Sequence, residues 1–156
     1  MKIQSYFILF FLLGFLNIPK KEATIIQPNI IPKPLFQQLN NGVFELNEDT
    51  SLETIQEFGN VAQFLKSYFK EQFHLKISSK KSDTKILFTK DHSIKNEEGY
   101  LLKIDKNKIE IRANSSKGAF YAVQSLIQLL PIENKSTSIS IQCLEIQDAP
   151  QFAYRG

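Results

Sequence analysis

Two period-two runs around a short polar turn, followed at once by an amphipathic helix, limit what this chain can fold into. Tyr100, Leu102 and Ile104 alternate with Leu101, Lys103 and Asp105; after Lys106-Asn107-Lys108, Ile109, Ile111 and Ala113 alternate with Glu110 and Arg112. Alternation at period two puts one set of side chains on one face of a strand, so the pair predicts a β-hairpin with a single apolar face. Ser115 or Ser116 then offers a hydroxyl to cap a helix. That helix carries Ala119, Phe120, Ala122, Val123, Leu126, Ile127, Leu129 and Leu130 before Pro131 stops it. So wide an apolar face predicts broad packing across a sheet, and the isolated Gly118 is expected to let the first turn come close to it.

The rest of the chain supplies partners for this unit. From Ile55, the residues Phe58, Val61, Ala62, Leu65, Tyr68, Phe69 and Phe73 recur at three-and-four spacing, which predicts a first helix. Leu75 and Ile77 alternate with Lys76 and Ser78 as a short strand, and Ile86-Leu87-Phe88 reads as a buried one. Lys80 to Asp83 is a polar turn. In the last strand Ile139, Ile141 and Cys143 are in phase while Leu144 and Ile146 are one step out, the mark of a β-bulge. Asn40-Asn41-Gly42 reads as a turn between Leu35–Gln38 and Val43–Leu46. Pro19, Pro28, Pro32 and Pro34 make the preceding stretch an extended lead-in. Two helices against one mixed sheet give the expected fold class, an α/β (α+β) two-layer sandwich.

With 156 residues the chain holds one ordinary domain, and a (β/α)8 barrel of ~250 residues cannot fit. Hydrophobic residues at 42% and charged residues at 22% fit a globular chain. The net charge of +3, from 19 basic and 16 acidic residues, leaves no concentrated basic face, so no nucleic-acid partner is expected. The start differs in character. One lysine precedes the apolar run Tyr6–Leu16, too short for the ~20 residues that cross a bilayer. Residues 1–22 therefore read as a secretory signal peptide, the alternatives being an uncleaved amino-terminal anchor and a buried core helix. Export to the periplasm or the medium is expected, with membrane contact only if the segment stays attached.

Chemistry is sparse. Neither His74 nor His92 sits in an H-E-x-x-H frame, and the single Cys143 falls on an apolar strand phase as a buried, inert thiol. One cysteine excludes an intrachain disulfide and a multi-cysteine zinc site. No glycine-rich phosphate loop occurs. The pairs Glu97-Glu98 and Glu48-Asp49 lie in polar stretches and read as solvent-facing, and the sequons at Asn114 and Asn134 are of a kind common by chance. No catalytic residue, metal site or cofactor is expected.

Three segments carry a resemblance. Gly99-Tyr100-Leu101-Leu102, Ile109-Glu110-Ile111-Arg112-Ala113 and the run from Gly118-Ala119-Phe120-Tyr121 to Leu129-Leu130-Pro131 are similar to the amino-terminal domain of family 20 glycoside hydrolases, the bacterial β-N-acetylhexosaminidases and chitobiases. The opening Ile30-Ile31-Pro32-Lys33-Pro34 and the ending Asp148-Ala149-Pro150-Gln151-Phe152-Ala153-Tyr154-Arg155-Gly156 resemble that domain's beginning and its junction with the catalytic barrel. The resemblance covers about residues 25–156 and implies a zincin-like sandwich without metal at 23–147, with 148–156 as the junction to a barrel missing from this chain.

What it implies about activity belongs to that barrel. There the substrate's 2-acetamido oxygen attacks the anomeric carbon, an Asp stabilises the oxazolinium, and a Glu protonates the leaving oxygen. Arg155 matches the arginine that binds hydroxyls of the terminal N-acetylhexosamine, a task suited to its fixed fork of donors. Without the barrel, Arg155 is an ordinary solvated arginine. The implied partners are N-acetylhexosamine-containing glycans, reached through the barrel, and the barrel itself by intramolecular packing. Another hexosaminidase-type family with a similar domain is the runner-up among enzymes. A stand-alone secreted carbohydrate- or protein-interaction module without catalysis is the alternative from outside them.

Overall fold

The structure, a computed structural model, describes residues 28–78, 80–132 and 137–149. Residues 1–22, expected to be a signal peptide, and the Asn134 sequon, Pro150 and Arg155 lie outside these residues. One mixed sheet contains β1 (Phe36–Leu46), β2 (Ser51–Glu53), β3 (Lys85–Lys90), β4 (Tyr100–Ile104), β5 (Lys108–Ala113) and β6 (Ile139–Asp148), in the spatial order β1-β6-β4-β5-β3-β2. The helices are α1 (Gly59–Phe73), preceded by a 3-10 turn at Gln56–Phe58, and α2 (Ser116–Gln128).

Connectivity fixes where the helices go. Strand β2 runs parallel to β3, and β5 and β6 are parallel to each other because both pair antiparallel with β4. The crossovers β2–α1–β3 and β5–α2–β6 step in the same direction along the sheet. Parallel crossovers are almost invariably right-handed, so both helices land on one face. Burial follows: Ile86, Phe88, Leu102, Ile104, Ile109 and Ile111 form one core with Leu65, Phe69, Val123 and Leu126 of the helices. The opposite phase of the strands, with Lys85, Lys103, Glu110, Arg112 and Glu145, stays partly exposed. The two-layer sandwich expected from the pattern is the fold observed.

The hairpin pairs Ile104 with Ile109, Leu102 with Ile111 and Tyr100 with Ala113. Its turn is Asp105-Lys106-Asn107, closed by the Asp105 N–H donating to Lys108 O at 2.8 Å, with Lys108 already in the strand. Of the two candidate caps Ser115 is used: its Oγ accepts from the N–H groups of Lys117 and Gly118 at 3.1 and 3.5 Å. The lead-in is held against α2 by Gln128, whose amide accepts from Ile31 N–H at 2.9 Å and donates to Ile31 O at 3.1 Å.

Three expectations need correction. Asn40-Asn41-Gly42 does not separate two strands; β1 runs through it. Leu39 pairs with Leu144 and Val43 with Gln142, so Asn40–Gly42 face Cys143 alone. Gly42 takes φ +112°, open to glycine, and Gln142 Nε2 donates to Asn40 O at 2.7 Å and Gly42 O at 3.1 Å, satisfying carbonyls at the irregularity. The phase slip at Cys143/Leu144 thus marks a bulge whose extra residues lie on β1 rather than on β6. Leu75 and Ile77 are buried but, among the described residues, belong to no ladder; the segment makes a single bridge there, Ser78 to Ser51. Strand β2, three residues long, is too short to show a period.

Candidate functional site

A groove opens where β5 and β6 end, lined by Leu35, Phe36, Asp91, Ser93, Arg112 and Asp148 among others. Asp91 follows β3, and its N–H donates to Ala113 O at 2.9 Å, fixing the loop against the end of β5. Its Oδ1 accepts from Ser93 N–H at 2.9 Å and Ser93 Oγ at 2.6 Å, and its Oδ2 accepts from Arg112 Nη2 at 2.5 Å. The Ser93 hydrogen bonds, helped by Arg112, hold its carboxyl below the usual carboxylate range against a smaller opposing effect of burial. A general acid must hold a proton near neutral pH, and Asp91 is set up to do the reverse. Asp148, which the sequence placed in the junction, accepts from the Leu35 N–H at 3.3 Å. The groove is therefore braced by an ion pair, and its carboxylates serve backbone and guanidinium donors.

The structure keeps the other chemistry-bearing residues apart. His74 is exposed and caps the C-terminus of α1 in the left-handed region at φ 54°. His92, in the loop after β3, lies with Nδ1 3.1 Å from Asn114 Oδ1. Cys143 is buried on β6; burial pushes its thiol pKa up, the Asp105 charge adds to this, and Lys106 opposes it. A thiol held protonated is a poor nucleophile. Among the described residues no group of three or more His, Cys, Asp or Glu side chains could hold a metal ion.

Gly118 is where the sequence expected it. A Cβ there would lie 2.3 Å from Gly99 O and 3.2 Å from the Ala113 Cβ, so only glycine lets α2 start this close to the strands. Its N–H donates to Glu97 O at 3.1 Å. The Asp91–Arg112 pair had no sequence signal: the residues are distant along the chain, and the parallel register Thr89 with Arg112 brings them together.

The profile of "Glycosyl hydrolase family 20, domain 2" matches residues 27–149. The chain belongs to glycosyl hydrolase family 20. A β-hexosaminidase of Porphyromonas gingivalis is 32% identical over 151 residues, which cover 90% of this chain and 19% of that protein. Among solved structures, the family 20 exo-β-N-acetylglucosaminidase of Vibrio harveyi superposes with a TM-score of 0.73 at 26% identity, covering 81% of this chain and 20% of that one. The chitobiase of Flavobacterium johnsoniae gives 0.58 at 27% identity, covering 81% and 21%. The family 20 chain thus spans about a fifth of the length of these relatives.

Proposed function

We propose that this chain is the non-catalytic domain that precedes the barrel of an exported exo-β-N-acetylhexosaminidase. The observation that carries the reading is the match of residues 27–149 to domain 2 of the family, in a chain a fifth as long as the hexosaminidases it resembles. The saturated Asp91 carboxylate and the scattered histidines support a scaffold rather than a reaction centre.

On this reading residues 1–22 are the signal peptide or anchor, 23–147 the domain and 148–156 the junction. The barrel's Asp–Glu pair and the substrate's own acetamido group would cleave terminal N-acetylhexosamine from glycans with retention of configuration. Arg155 would bind sugar hydroxyls at the start of the first barrel strand, its role existing only in the longer polypeptide.

The test is the coding sequence beyond the Gly156 codon. A frame that continues into barrel strands with an adjacent Asp-Glu is the expected result. A stop codon directly after Gly156 would contradict it and leave a secreted module without hydrolytic activity.

A further inference from the structure

The open face of the sheet changes character toward the end where β6 leaves it. Elsewhere its half-exposed positions are largely charged, and Lys103–Asp105 and Lys108–Glu110 pair at 3.5 and 3.3 Å. Such a surface suits water. In the last row the register sets Phe36 of β1 beside Gln147 of β6, Gln147 beside Leu101 of β4, and Leu101 beside Arg112 of β5. Leu101, Arg112 and Gln147 are out of phase with the buried residues of their strands, so the row stands on the open face. With strands ~4.8 Å apart, it is ~14 Å long. It forms the floor of the groove, whose volume of about 470 Å³ lies in the range of small-molecule sites.

The walls are fixed by the chain itself. Asp148 holds the Leu35 N–H on one side. On the other, the Asp91 N–H ties the loop after β3 to Ala113 O, and the Ile94 N–H donates to Asp91 O at 3.3 Å. The floor alternates apolar and polar. Phe36 is 41% exposed. Arg112 gives Nη2 to Asp91, which orients its guanidinium; its other N–H groups have no partner among the described residues. Gln147 gives Nε2 to Glu145 Oε1 at 2.8 Å, and because a carboxylate only accepts, its Oε1 is left as an acceptor. The charged side chains of the lining balance, Asp91 and Asp148 against Lys95 and Arg112, so a strongly charged ligand meets no net attraction. The ligand that fits is neutral, with an apolar face and a rim of both donors and acceptors. A sugar ring has that form, with C–H groups on its face and hydroxyl or acetamido groups around its edge.

We propose that this row is a non-catalytic binding site for a neutral oligosaccharide containing N-acetylhexosamine. Phe36 and Leu101 lie under the C–H faces of the rings, and Arg112 and Gln147 engage the hydroxyl and acetamido groups. The choice of sugar rests on the reading above that the parent protein is a hexosaminidase; the form of the site does not.

Titration of N,N′,N″-triacetylchitotriose into isotope-labelled chain 1–156, followed by amide resonances, tests it without a barrel that could bind the sugar elsewhere. The amides of Phe36, Leu101, Arg112 and Gln147 should shift together and saturate at millimolar sugar. Phe36→Ala should weaken binding about fivefold by removing apolar contact area. Arg112→Lys should weaken it about as much, keeping the charge beside Asp91 but losing the fork of donors. Phe64→Ala, which removes an equally exposed aromatic from the helix layer, should leave the affinity unchanged. No shifts, shifts centred elsewhere, or unchanged affinity in both Phe36→Ala and Arg112→Lys would overturn the proposal. Tighter binding of a sulfated oligosaccharide of the same length would overturn it too. The mapping on the unsubstituted chain holds even if a variant fails to fold. The coding sequence beyond Gly156 separates the failures: a silent titration with a barrel encoded refutes this site alone, whereas a stop codon refutes the hexosaminidase reading and leaves saturable shifts in the row as support for the site.

Discussion

Asp91 shows how a charged residue can be essential to shape without being chemical. Its carboxylate takes two hydrogen bonds from Ser93 and one from Arg112, and these favour the ionised form. A carboxyl whose folded pKa lies below its unfolded value contributes stability that is fully present above the unfolded pKa of about 3.9 and is lost as pH falls through the lower folded value. Asp91→Asn should therefore lower the melting temperature at pH 7, with the gap to the unsubstituted protein closing below about pH 4. Thermal unfolding of both proteins across that range checks it; a gap that stays constant or widens in acid would show that the ionised form is not what the loop needs. Nothing local foretold this pair, because a parallel register between strands far apart in sequence creates it. Cys143 was legible, since an apolar phase on a strand predicts a buried thiol whatever the register.

At the scale of the element, periodicity told most where one face alone is buried. The hairpin and both helices stand where the alternation and the three-and-four spacing put them, because each must hide a single apolar face in the shared core. The edges were less legible. Strand β2 is three residues long, and the Asn40–Gly42 bulge uses the same residue types as a turn, so only pairing with β6 tells them apart. Glycines divide in the same way. Gly118→Ala would set a Cβ against the backbone at Gly99 O and should destabilise by about 1–3 kcal/mol or more, as overpacking does. At Gly59, right-handed helical with nothing within 4 Å of the missing Cβ, the same change should stabilise by about 0.4–1 kcal/mol. Denaturant unfolding of the two variants measures both signs; a neutral Gly118→Ala would mean that α2 can lift off the sheet at no cost.

For the molecule as a whole, pattern and function part company. Hydrophobic period and crossover geometry lead to a two-layer sandwich, but no constellation within it names a substrate; the function came from the likeness of whole segments to a family. Physically this is expected of a domain whose residues are spent on packing, capping and bracing its own loops. The chain belongs to family 20 and spans about a fifth of its relatives' length, and on the proposed reading the chemistry belongs to the barrel of a longer polypeptide. The direct test is hydrolysis of p-nitrophenyl N-acetylglucosaminide by purified chain 1–156 beside the longer polypeptide from the same locus. The account predicts turnover by the longer protein and none by the chain. Release of p-nitrophenol by chain 1–156 above the buffer rate would contradict it.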